Sequence, residues 1–193
     1  MKKQLFLLVL LSTLALYNCR NNTSPEQKDN ADGEFYPIGN FIHSQLMYID
    51  SMPLAVIKYT TLDNITDTAI LEKSDFKTIA AAFMTPDIGS PELMPQYKET
   101  SFIDATLGTV TLTYSAMHID SGIKKADILL DQESTSVKNI YIEKILPGTD
   151  SSVTKKMLWT ANRNCQITTL IRKKGQPEKI IRERYVWDDR EPF

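Results

Sequence analysis

The sequence predicts an α+β domain: a largely antiparallel, meandering sheet packed against two N-terminal helices. Three observations predict it. Apolar residues recur at helical spacing in two early segments, 36–50 and 74–84. From residue 97 onward the chain changes to short runs rich in branched and aromatic residues. Clusters of Gly, Pro, Asn and Asp separate most of those runs. Helices early and strands late is the α+β pattern, and short connections between successive strands make them antiparallel neighbours.

Each element follows from local chemistry. Pro37 suits a first helical position, and Ile38, Phe41, Ile42, Leu46 and Ile49 then fall close to one stripe. The residues before Pro53 are biased out of helix and end it. Residues 54–62 are β-like. Ser74 is the expected cap of a second helix, where Phe76, Ile79, Ala80 and Phe83 keep the helical repeat until Thr85-Pro86. Pro91 to Pro95 fits one short turn. Strands are expected over 98–105, 109–116, 126–131, 137–146, 154–161, 165–173 and 178–187. Met157, Trp159 and Ala161 share one face of their strand; Cys165, Ile167 and Ile171, and then Ile181, Tyr185 and Trp187, do so on the next two.

The first 34 residues read differently. Lys2 and Lys3 precede the apolar run Leu5–Leu11, continued by Leu14, Ala15 and Leu16. That is the order of an export leader. From Leu5 to Tyr17 a helix would measure roughly 20 Å, against about 30 Å for a bilayer core. Leu16-Tyr17-Asn18-Cys19 closes the segment and resembles the lipobox read by lipoprotein signal peptidase, which implies cleavage before Cys19 and its acylation, for example with palmitate. One acyl chain binds a membrane marginally and two or three hold firmly, because each buried CH₂ adds about 0.8 kcal/mol. Residues 19–34 contain no aromatic and no aliphatic side chain larger than Ala31, so they form a polar tether. Its coil dimension is roughly 20 Å, and about 50 Å at full stretch. The organisation is therefore a signal peptide at 1–18, a lipidated tether at 19–34 and one domain at 35–193.

Composition bounds the function. The formal charge is −2, with 42% hydrophobic residues, enough for a core. Charge is uneven: residues 20–150 carry 10 Lys+Arg and 19 Asp+Glu, whereas 151–193 carry 10 and 5. The C-terminal excess sits on the expected outward face of the last three strands, at Lys156, Arg172, Lys174, Arg182 and Arg184. That face suits an anionic partner such as lipid headgroups, lipopolysaccharide phosphates or an acidic protein. The bland alternative is cross-strand pairing with Glu143, Glu178 and Glu183. Leu158, Leu170, Ile180 and Val186 share the face, so it is not purely charged.

Catalytic constellations are missing from the sequence. His43 and His118 have no paired spacing, and no HExxH, GxSxG, SxxK, GxGxxG or GxxxxGK motif occurs. Asp188-Asp189 are adjacent acids at a strand end, a solvated pattern. With Cys19 acylated, Cys165 has no disulfide partner in the chain and reads as a buried apolar cysteine. The expectation is a non-enzyme with no metal and no cofactor. Nucleic acid is not an expected partner of an exported, anchored chain.

Residues 35–53, Phe-Tyr-Pro-Ile-Gly-Asn-Phe-Ile-His-Ser-Gln-Leu through Ile49-Asp-Ser-Met-Pro, follow a lipobox and polar tether. Over residues 1–60 the chain resembles the uncharacterised lipoproteins of Bacteroidota. The resemblance implies a place in the cell envelope and assigns no activity. Surface export in that group goes with acidic residues soon after the cysteine; Arg20-Asn-Asn-Thr-Ser here favours the outer membrane's periplasmic side. Two tripeptides, Asp50-Ser51-Met52 and Asp67-Thr68-Ala69, resemble that lineage's O-glycosylation motif, in expected loops, with Ser51 and Thr68 as acceptors. The expected function is an anchored envelope lipoprotein that binds another envelope component. The alternative is a small-ligand or lipid-binding module with an apolar cleft between sheet and helices.

Overall fold

The computed structural model describes residues 34–118 and 122–189. The leader, Cys19 and all of the tether but Glu34 lie outside the described residues. Helix α1 spans Ile38–Ser51 and α2 spans Lys73–Met84. The strands are β1 Val56–Leu62, β2 Ile65–Leu71, β3 Tyr97–Asp104, β4 Thr109–Ala116, β5 Ile123–Asp131, β6 Val137–Pro147, β7 Ser151–Thr160, β8 Asn164–Lys173 and β9 Lys179–Val186. No helix among the described residues is long and apolar enough to cross a membrane.

The chain is α+β, with one open, nine-stranded sheet in the order β2-β1-β9-β8-β7-β6-β5-β4-β3. Every neighbouring pair is antiparallel. Strands β3 to β9 form the expected meander. The hairpin β1–β2 then adds to the far side of β9, so the first strand pairs with the last.

Three expectations need correction. The helices do not both precede the sheet, because α2 follows the β1–β2 hairpin. Strand β2 was not anticipated: Asp63 and Asn64 both have positive φ, 49° and 65°, and fold the chain back in a two-residue turn. The start of α2 also differs. Glu72 occupies the cap position without a side-chain cap bond, and Ser74 lies inside the helix's first turn. The helix is instead held by burial of Phe76, Ala80 and Phe83.

Register fixes two faces. Ile128, Ile140, Trp159, Cys165 and Tyr185 sit opposite one another across β5 to β9 and are essentially inaccessible. We call this the core face. Above it, Phe76 and Phe83 meet Trp159 at ring-centroid distances of 6.0 and 5.1 Å, and Trp187 stands 5.1 Å from Trp159. These rings, with Ile42, Ile49 and Met157, belong to one continuous core.

Polar pins join the elements. Gln45, nearly buried on α1, accepts from the Asn162 backbone N–H at 2.7 Å and donates to Asn162 Oδ1 at 2.9 Å. Its Oε1 lies 3.4 Å from Trp159 Nε1. Lys73 Nζ donates to the carbonyls of Ile49, Asp50 and Met52 and so closes the C-terminal end of α1. Lys144, on the core face of β6, donates to the carbonyls of Ala82 and Thr85 at the end of α2. Burial, with Lys155 nearby, pushes its pKa down to about 8, so the ammonium persists at neutral pH.

The β5–β6 loop supplies a pH test. Asp131 accepts from the Ser134 backbone N–H at 3.0 Å, pairs with Lys138 at 3.0 Å and accepts from the Ser134 hydroxyl. These contacts hold its carboxyl well below the usual carboxylate range. A depressed folded pKa contributes stability above the unfolded value and loses it as pH falls below about 4. Asp131→Asn is therefore expected to flatten the acid limb of a stability–pH curve, read by denaturant midpoint at pH 6 and pH 3.

Candidate functional site

The outer face of β7 to β9 is where the chain places its cations. Residues of even number on these strands point away from the core row. Lys156 faces Thr168, and Thr168 faces Arg182, in one continuous line across β7, β8 and β9. Arg184 lies two residues along β9 opposite Gln166. Adjacent strands are about 4.8 Å apart, so Lys156 and Arg182 sit roughly 10 Å apart at the backbone. All three cations are exposed.

Of the three expected carboxylates, one compensates the face and two pair elsewhere. Glu178 pairs with Arg172. Glu183 pairs with Lys58 at 2.7 Å, and register puts both on the core face. Glu143 pairs with Lys124 at 3.2 Å, although it lies opposite Lys156. Among the described residues Lys156, Arg182 and Arg184 form no ion pair within 4.0 Å. Of the five residues predicted for this face, four share it in register; Lys174 lies in the β8–β9 turn, exposed.

The β1–β2 hairpin completes the surface. Tyr59, Thr61, Thr66, Gln166, Arg182 and Arg184 line one shallow hollow. Thr61 and Arg182 also border a second, with Asp63, Asn64, Glu178 and Ile180. Thr61 and Thr66 share a hydrogen bond of 2.8 Å between their hydroxyls. The result is a cationic sheet face lined with hydroxyls, able to bind phosphate or carboxylate oxygens by charge and hydrogen bonds. Thr66 lies on the unexpected strand β2, for which the Asp63-Asn64 pair between two β-like runs is the available signal; Tyr59 and Thr61 lie on the expected strand β1, whose pairing with β9 no local signal specifies.

Other predicted positions fall as follows. Ser51 ends α1 and donates to the Tyr48 carbonyl at 2.7 Å, and Thr68 lies on β2, so neither acceptor is in the expected loop. Both are exposed, Thr68 on an edge strand. His43 is on the exposed side of α1, and His118 follows β4. No group of three His, Cys, Asp or Glu able to hold a metal occurs among the described residues. Cys165 is fully buried in the core row, and burial pushes its thiol pKa well up, which keeps it protonated and inert in the folded chain. Asp188 and Asp189 follow β9, half-buried and exposed respectively.

No family model, no curated protein and no solved structure matches this chain. Its function therefore has to be argued from its own residues.

Proposed function

We propose that the protein is a non-enzymatic lipoprotein of the bacterial envelope, acylated on Cys19, that binds another envelope component. The outward face of β7 to β9 is the binding surface, and the component presents phosphate or carboxylate groups to it. One observation carries this reading: the in-register line Lys156–Thr168–Arg182, with Arg184 beside it, whose cations have no carboxylate partner among the described residues. Neighbouring like charges left uncompensated favour an external anion. The two helices act as a layer over the core face, a reading supported by the Gln45, Phe76 and Lys144 contacts. The outer face of β7 to β9 is then turned away from that layer. A tether of up to about 50 Å gives the domain reach from the outer membrane into the periplasm.

In-cell crosslinking and pull-down of wild type beside Cys19→Ala tests the anchored role. The expected result is a specific partner with wild type that is lost when the anchor is lost. An equal set of partners from both forms would contradict the membrane-localised role.

A further inference from the structure

Opposite the cationic face, the core face carries a second surface of different chemistry. The core cluster does not extend over the whole of this face. Toward the turns at 63–64, 147–150 and 174–178, six apolar residues stand outside it: Leu62, Ile65, Leu146, Val153, Ile171 and Ile181. Each comes from a different strand. Ile181 faces Leu62, which faces Ile65 across β9, β1 and β2. Leu146 faces Val153, which faces Ile171 across β6, β7 and β8. Ile171 is opposite Lys179 and Thr169 opposite Ile181, so Ile171 and Ile181 are diagonal neighbours and the two lines join. The belt therefore crosses six strands without a break. Ile65 is 76% exposed and Leu146 48%, at the two ends of the belt, and the four residues between them are half-buried.

Its charge is of one sign. Lys155 stands in the Ile181 row, Lys179 faces Ile171, and Lys173 closes the β8 end; Lys144, opposite Lys155, is buried against the end of α2. No carboxylate occupies the core-face positions of these rows. The nearest acids are Asp63, Asp150 and Glu178 in the turns and, one row further in, Asp67 and Glu183; Glu178 is paired with Arg172 and Glu183 with Lys58. Among the described residues Lys155, Lys173 and Lys179 have no ion pair. A second copy of the chain, docked symmetrically, would set these lysines against each other and is disfavoured. An apolar strip edged by lysines matches a bilayer interface, where side chains enter the headgroup and acyl boundary by about 5–10 Å and cations meet lipid phosphates.

We propose that this belt is a membrane-docking surface, seated on an anionic phospholipid bilayer. It works in addition to the Cys19 anchor and does not depend on acylation. Docked in this way, the domain keeps the β7 to β9 outer face away from the lipid and free for its partner.

The test uses the full chain with Cys19→Ser, so that a cysteine introduced at Ile181 is the accessible thiol, Cys165 being buried. An environment-sensitive fluorophore is attached there, and in a parallel sample at Thr168 on the outer face. Both are mixed with vesicles of phosphatidylcholine, with or without phosphatidylglycerol. The leader acts equally on both reporters, so the comparison isolates the belt. The expected result is a severalfold gain at Ile181→Cys, quenched by brominated lipid, with phosphatidylglycerol present and not at Thr168→Cys. Lys155→Glu/Lys179→Glu, with an unchanged circular dichroism spectrum, should weaken the response about ten-fold or more. Equal responses at both positions, no response, or independence from phosphatidylglycerol would overturn the proposal. So would a reporter at Ile181 already shielded without vesicles, which would assign the belt to residues 1–33 or a second copy.

Discussion

Trp159→Ala is expected to lower the unfolding midpoint by roughly 10–15 °C, from a loss of about 4 kcal/mol. Trp159 is fully buried at the centre of the core row, between Ile140 and Cys165. It is also the meeting point of Phe76, Phe83 and Trp187. Truncation removes the largest fully buried side chain among the described residues and leaves three rings facing a void that neighbouring strands are too constrained to fill. A domain of this kind has about 5–15 kcal/mol in total, so a large share of its stability rests on one position. Thermal denaturation followed by circular dichroism checks the value; a shift under about 3 °C would mean that the core collapses onto the gap.

The second large effect is at Gln45. Gln45→Leu keeps similar volume and removes the partner of the Asn162 backbone N–H and of Trp159 Nε1. A buried donor left unpaired costs about 1–3 kcal/mol, so a loss of about 2 kcal/mol is expected, more than an exposed polar substitution would give. The change also releases α1 from the β7–β8 turn, where Asn162 sits at φ 60°. Hydrogen exchange should then rise at the Asn162 amide while the central strands stay protected. Unchanged protection there would show that the pin carries no load.

How much of this was legible follows from which interactions are local. The strands from β3 to β9 were readable because alternation and turn residues are written into adjacent sequence. Trp159, Cys165 and Tyr185 could be placed on one face by counting alone. The pairing of β1 with β9 joins residues more than a hundred apart, and no local signal specifies it. Strand β2 was hidden by Asp67, Thr66 and Thr68, polar residues suited to an exposed edge that lack a buried stripe. The basic face was legible as a parity of charges. Its lack of compensation was not, because the sequence cannot say that Glu183 turns to Lys58, or that Glu143 takes Lys124. The apolar belt was unreadable for the same reason. Its six residues have the parity of core positions, and only the extent of the packed core separates them from it.

The cationic face is the centre of the functional account, and Thr168 lies in its middle, between Lys156 and Arg182. A photo-crosslinking residue at Thr168, activated in cells, tests it most directly. One discrete adduct is expected, and it should disappear when Arg182→Glu and Arg184→Glu are combined, with the fold unchanged. No adduct with the parent protein, or one that survives the double charge reversal, would contradict it.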